Sequence, residues 1–181
     1  MQERSKRRLR RWLITLVLTY LAVDIALYFG QELFLFHPKQ LPMNHRFNFK
    51  ESFQELNLPY QDHTISLVKF KARQPRKGLV LFFHGNMENI EHYRQYPAFF
   101  LRNGYDIWMI DYPGFGKTTG DRSESRICQD ALYFYEQALL ETTADSLVLY
   151  GKSLGTGVAS FVASERKARQ LILETPYYSI D

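Results

Sequence analysis

One cysteine, Cys128, stands in 181 residues, which excludes an internal disulfide framework and a zinc site built on cysteines. Histidine is confined to the front of the chain, at His37, His45, His63, His84 and His92, with none beyond. Low-complexity stretches and internal repeats are absent. At 45% hydrophobic and 15% aromatic residues, the composition excludes a disordered or collagen-like chain. Basic charge is missing from the body as well. Arg4, Lys6, Arg7, Arg8, Arg10 and Arg11 against Glu3 put +5 into the first eleven residues, so a total of +4 leaves the rest at −1. No basic stripe runs across the domain, and no nucleic-acid partner is expected.

What is present begins with an apolar run. Trp12 to Phe29 is interrupted only by Thr15, Thr19 and Asp24. As a helix it spans about 27 Å, close to the thickness of a hydrocarbon core. Asp24 costs about 2.5–3.5 kcal/mol in mid-bilayer. Ten Leu, Ile, Val and Phe residues offset that at about 0.3–0.6 kcal/mol each. Trp12 and Tyr28 bracket the run as interfacial aromatics do. A cleaved signal peptide would need a small-x-small site after the run, and a buried helix of a soluble domain would leave the basic cluster unexplained. The expectation is a basic cytoplasmic tail over residues 1–11 and a transmembrane anchor over residues 12–30 seated in the lipid bilayer. The positive-inside rule then places the chain from about residue 31 onward on the non-cytoplasmic side.

Residues 31–60 carry Pro38, Pro42 and Pro59. They are expected to form a connecting segment whose Phe34, Phe36, Phe47 and Phe49 pack on the domain. Asp62–Lys71 alternates and predicts an antiparallel edge strand. Beyond a turn at 73–78 the pattern becomes strand–helix alternation. Leu79–Phe83, Tyr105–Ile110, Leu147–Tyr150 and Leu171–Leu173 are short apolar runs of buried strands. Glu88–Arg102, with a break at Pro97, Ser123–Glu141, and the stretch from the 151–157 turn to about Arg166 read as helices. Such units argue for an α/β fold with a parallel sheet over residues 61–181.

Chemistry concentrates in Gly151-Lys152-Ser153-Leu154-Gly155, which matches G-x-S-x-G between a strand and a helix. A serine on so tight a turn needs flanking residues without side chains, the elbow glycines Gly151 and Gly155. The helix start behind it aims N–H groups at developing negative charge. His84-Gly85-Asn86 follows the strand 79–83, where this architecture draws its second oxyanion donor. The backbone N–H groups of Asn86 (or Met87) and Leu154 are the expected pair, with Ser153 the catalytic nucleophile.

Other readings fail on spacing. A phosphate loop would need glycine at Ser146 or Asp111. Gly114, Gly116 and Gly120 are one residue too widely spaced for a dinucleotide fingerprint. Gly85-Asn86 breaks the helix that would align His84, Glu88 and His92 on a metal. No metal and no cofactor are expected. Lys117 and Lys152 are expected to face solvent, Asp111 to fix its own loop through backbone hydrogen bonds, and Cys128 to be buried and inert.

Leu79–Asn86, Asp111-Tyr-Pro-Gly-Phe-Gly116 and Tyr150-Gly-Lys-Ser-Leu-Gly-Thr-Gly157 together resemble the α/β-hydrolase superfamily, in its serine-aminopeptidase-like and depalmitoylase-like, N-terminally anchored branch. The resemblance covers about residues 62–181. It implies an α/β-hydrolase fold, a mostly parallel sheet with flanking helices. It also implies hydrolysis of an ester, thioester or peptide in an acyl-type small molecule, lipid or peptide substrate. The family's triad runs Ser, then Asp or Glu, then His. After Ser153 come only the acids Glu165, Glu174 and Asp181, and no histidine. Glu174 is expected to be structural rather than the triad acid. The fold is therefore expected to be incomplete at the C-terminus, with the triad acid and histidine absent from this chain. The alternative is a truncated or degenerate homologue that binds without turnover.

Overall fold

The computed structural model describes residues 2–35, 37–73 and 75–176. The chain divides into two compact units, residues 1–37 and 38–181. The first is one helix, α1 (Gln2–Leu35), exposed at every residue from 4 to 28. Within it, Arg4–Tyr28 has a mean hydropathy of 1.5 in its most apolar window, and the helix is long and apolar enough to cross a membrane.

The second unit is a six-stranded sheet: β1 (Phe53–Tyr60), β2 (His63–Phe70), β3 (Gly78–Phe83), β4 (Tyr105–Ile110), β5 (Leu147–Lys152) and β6 (Gln170–Glu174). The spatial order is β1-β2-β4-β3-β5-β6. β1 and β2 pair antiparallel, β2 joins β4 antiparallel, and β4, β3, β5 and β6 run parallel. Helices α2 (Tyr96–Arg102), α3 (Glu124–Leu139) and α4 (Leu154–Glu165) make the connections. This is the α/β-hydrolase fold that the sequence implies.

Each parallel strand is buried on both faces because its apolar run is continuous. All six residues of β3 are buried. Val80, Phe82, Ile107, Met109 and Val148 meet Phe100 and Tyr93 on one face. On the other, Phe134 of α3 packs edge-on to Phe83 and against Trp108. α3 starts where Ser123, extended at φ −148°, accepts a hydrogen bond from the Arg126 N–H. At the far edge, β6 leaves Leu171 and Leu173 exposed.

Several sequence expectations are corrected. Asp62–Lys71 is not an edge strand: β1 covers it, taking the last eight residues of the stretch read as a connection. Leu56, Leu58 and Tyr60 do alternate there, and Pro59 is tolerated because β1 is the true edge. The stretch 88–102 is not one helix. A 3₁₀ turn, Ile90–Tyr93, precedes α2, and Pro97 sits in the first turn of α2 instead of breaking it. Lys117 does not face solvent: it is buried and its Nζ lies 2.5 Å from Glu55 Oε1. Lys152 is half-buried in an ion pair with Glu174. Cys128 is only partly buried, and burial raises its thiol pKa.

Residues 38–49 act as a strap across two loops. Lys39 N–H donates to Glu88 O (2.9 Å), Gly116 N–H to Lys39 O (3.1 Å) and Leu41 N–H to Gly116 O (2.7 Å). Glu91 fastens the strap further on, accepting from Asn48 N–H at 2.6 Å and meeting His45 Nε2 at 3.0 Å. Phe47 is buried and Phe49 lies edge-on to Phe70, as expected for the packing aromatics. The Phe34 side chain and Phe36 lie outside the described residues.

Leu81 is fully buried in the central strand. Leu81→Ala is expected to destabilise the protein by about 2–5 kcal/mol, read as a lowered midpoint in urea unfolding.

Candidate active site

The C-terminal ends of β3, β5 and β6 converge, where ligand sites lie in parallel α/β sheets. Register puts Phe83 beside Gly151 and Lys152 beside Glu174. Ser153 follows β5 directly and caps the N-terminus of α4, at φ 51° and ψ −118°. A positive φ costs a residue with a Cβ about 1–3 kcal/mol and persists only where surrounding contacts enforce it. Those contacts are present. Ser153 N–H donates to Glu174 O (2.9 Å), while the N–H and hydroxyl of Thr156 both donate to Ser153 O (2.8 and 2.6 Å).

The glycines let the elements close. A Cβ on Gly151 would collide with the Gly155 carbonyl, and one on Gly155 with the carbonyls of Phe83 and His84. Gly85 is less tightly constrained: its Cβ would stand 2.7 Å from the end of the Tyr93 side chain at Oη and in ordinary contact, 3.4 Å, with Ser153 Cβ. The 84–86 loop therefore lies against the serine. Asn86 follows it, half-buried. Leu154 opens α4, so its N–H is one of the four without an intrahelical acceptor.

A buried polar group supports that loop. His84 Nδ1–H donates to Gly85 O (2.6 Å), and Tyr112 Oη–H donates to His84 O (2.9 Å). The His84 ring stacks on Tyr112 and presents Nε2 to Asp111 Oδ1 at 3.5 Å, too long for a strong hydrogen bond. Asp111 does more than fix its own loop, since its carboxyl accepts the Ile90 N–H at 2.7 Å. It sits beneath Gly116, where a Cβ would strike it. Burial pushes Asp111 up to about 8 and His84 down to about 4. At neutral pH both groups are uncharged.

Three other histidines lie beside partners elsewhere. His63 Nε2 lies 3.0 Å from both carboxylate oxygens of buried Asp130, and its Nδ1 is 3.1 Å from Arg126. His45 meets Glu91, and exposed His92 stands 3.7 Å from Glu88. Among the described residues no cluster of three or more His, Cys, Asp or Glu is placed to hold a metal ion.

Glu174, expected to be structural, has partners that the sequence conceals. Its carboxylate gathers Lys152, Tyr150 and Tyr96, a convergence without a local sequence signal because the three come from β5 and α2.

Asp111 yields a pH signature. In the folded protein it stays protonated up to about 8, against 3.8 for an ordinary aspartate, so folding is increasingly opposed as pH rises through that range. His84 acts oppositely, its stabilising neutrality being present above 6.5 and lost as pH falls through about 4. Asp111→Asn is always neutral and keeps an oxygen for Ile90. Its melting temperature relative to wild type is expected to climb steadily between about pH 5 and pH 8. A difference independent of pH in thermal scans would contradict a buried neutral Asp111.

The profile of the serine aminopeptidase, S33 family matches residues 74–181. Lysophosphatidylserine lipase ABHD12 of Xenopus tropicalis is 28% identical over 162 residues, covering 79% of this chain and 42% of that protein. Protein bem46 of Schizosaccharomyces pombe is 28% identical over 162 residues, covering 81% of this chain and 54% of its own length. The chain thus spans about half the length of the curated relatives it matches. Among solved structures, a soluble variant of monoglyceride lipase from Saccharomyces cerevisiae, in complex with a substrate analog, superimposes with a TM-score of 0.64 at 20% identity. That match covers 77% of this chain and 49% of the lipase. An alpha-beta hydrolase from Vibrio vulnificus gives a TM-score of 0.60 at 20% identity, over 68% of this chain and 45% of that one. With Ser153 at a positive φ on the turn from β5 into α4 and a family match across more than half its length, the chain belongs to the serine aminopeptidase (S33) family of α/β-hydrolases.

Proposed function

We propose that the chain carries the nucleophile and oxyanion hole of a membrane-anchored serine hydrolase that cleaves an ester, thioester or peptide bond. The observation that carries this reading is Ser153, held at φ 51° between β5 and α4 and flanked by glycines that admit no side chain. Its Oγ attacks the acyl carbonyl. The developing oxyanion is met by the main-chain N–H groups of Leu154, at the positive end of α4, and of Asn86, on the loop against the serine. A histidine base must take the serine proton, and no histidine follows Ser153 in this sequence. His84 does not fill that role, because its ring nitrogens face Gly85 O and Asp111. The lipase names among the relatives support an acyl lipid as substrate.

The commitment of His45, His63 and His84 to other partners favours a second reading, a module that binds acyl groups without turnover. A fluorophosphonate probe separates the two. It is expected to label the membrane-bound full-length protein, and Ser153→Ala to abolish the label. Label surviving that substitution removes Ser153 as nucleophile, whereas an unlabelled wild type favours the binding module.

Residues 1–11 form the cytoplasmic tail on this reading, residues 12–30 the bilayer anchor, and the hydrolase unit lies on the non-cytoplasmic side, supported by the apolar α1 and the six cations at its start. Protease added to the cytoplasmic face of sealed membranes is expected to remove an N-terminal epitope and spare the sheet domain. Digestion of the domain instead would reverse the orientation.

A further inference from the structure

We propose that Glu174 is the positioning residue of the nucleophile elbow, holding Ser153 through its main chain and the strand beneath through its carboxylate. The proposal rests on Ser153 being the reactive group. Glu174 ends β6 directly opposite Lys152. Its Oε1 accepts from Lys152 Nζ at 2.5 Å, while its Oε2 accepts from Tyr150 Oη at 2.5 Å and Tyr96 Oη at 2.8 Å. Its main-chain oxygen accepts the Ser153 N–H at 2.9 Å and the Thr175 hydroxyl at 2.7 Å. One residue thereby ties together β5, β6, α2 and the amide of the serine itself.

The geometry also argues against the rival role for this acid. A triad carboxylate must give an oxygen to a histidine, yet both oxygens of Glu174 are engaged by donors from its own fold. Charge-assisted hydrogen bonds of this kind are roughly twice as strong as neutral ones and are not readily surrendered. Burial works against ionisation here, but Lys152, Tyr150 and Tyr96 outweigh it and hold the carboxyl below its ordinary value. The two phenols respond in the opposite sense, raised by burial and then by their bonds to Glu174.

The arrangement sits where restraint is needed. Ser153 and Thr175 are both non-glycine residues at φ 51°, one on each side of the Glu174 contact. Both conformations are unfavourable for a residue with a Cβ and relax unless held. Gly151 and Gly155 permit the turn but do not enforce it. Glu174 enforces it.

Hydrogen exchange followed by mass spectrometry on the full chain tests this without needing turnover, so the proposal and the hydrolase reading can fail separately. Exchange in the peptide containing residues 148–156 is expected to quicken about tenfold or more in Glu174→Ala, with distant core peptides unchanged. Glu174→Gln alone leaves the Lys152 ammonium facing an amide and should be intermediate. Adding Lys152→Met should restore slow exchange, because the glutamine oxygen still serves the two tyrosines. If Glu174→Ala fails to fold, the Gln single and double variants carry the test. In parallel, ultraviolet titration should show two late-ionising tyrosines moving to lower pH in Glu174→Ala or, failing that, in Glu174→Gln. Elbow exchange unchanged in folded Glu174→Ala, or no rescue by Lys152→Met, overturns the assignment.

Discussion

The close approach of the first turn of α4 to the ends of β3 and β5 is the constraint on which this molecule depends. Two carbonyls of β3 and its loop occupy the space a side chain would need at residue 155, and the first turn of α4 does the same at residue 151. Given that approach, the chain between strand and helix has one residue in which to reverse, and the residue is driven to a positive φ. The strain on Ser153 is thus imposed by packing several residues away. That packing is itself secured by the continuous apolar runs of β3 and β5, which leave neither strand free to shift.

A second layer of organisation governs the loop facing the serine. The 84–86 loop is held from below by Tyr112, His84 and Asp111. Burial makes this possible by disfavouring the charged form of both titratable members. The strap over residues 38–49 closes the same region from outside, with main-chain bonds at Lys39 and Leu41 to the loops after β3 and β4. Both loops are held between a polar floor and an extended outer segment.

How much can be read in the sequence depends on how local each signal is. The parallel strands and the elbow are legible because an apolar run such as Leu79–Phe83 and a G-x-S-x-G turn are each complete within a few residues. β1 is obscured by Pro59, whose placement is intelligible only once the strand is known to lie at an edge. Lys117 looks like an ordinary surface lysine, since its partner Glu55 lies in a strand 62 residues away. The partners of Glu174 are hidden for the same reason: they come from three separate positions, and nothing beside it announces them. Gly85 stands in plain view next to the histidine, but the Tyr93 hydroxyl that crowds it is brought there only by the fold.

The outermost strand of the sheet has a colloidal consequence. Among the described residues no strand pairs the outer side of β6, where Leu171 and Leu173 are exposed. Such a rim is a template for strand addition between molecules. No proline lies in Gln170–Glu174 to spoil a partner's alignment, and its one charge, Glu174, is already engaged in an internal ion pair. Whatever segment or partner lies along this edge meets five residues whose own sequence does little to deter pairing.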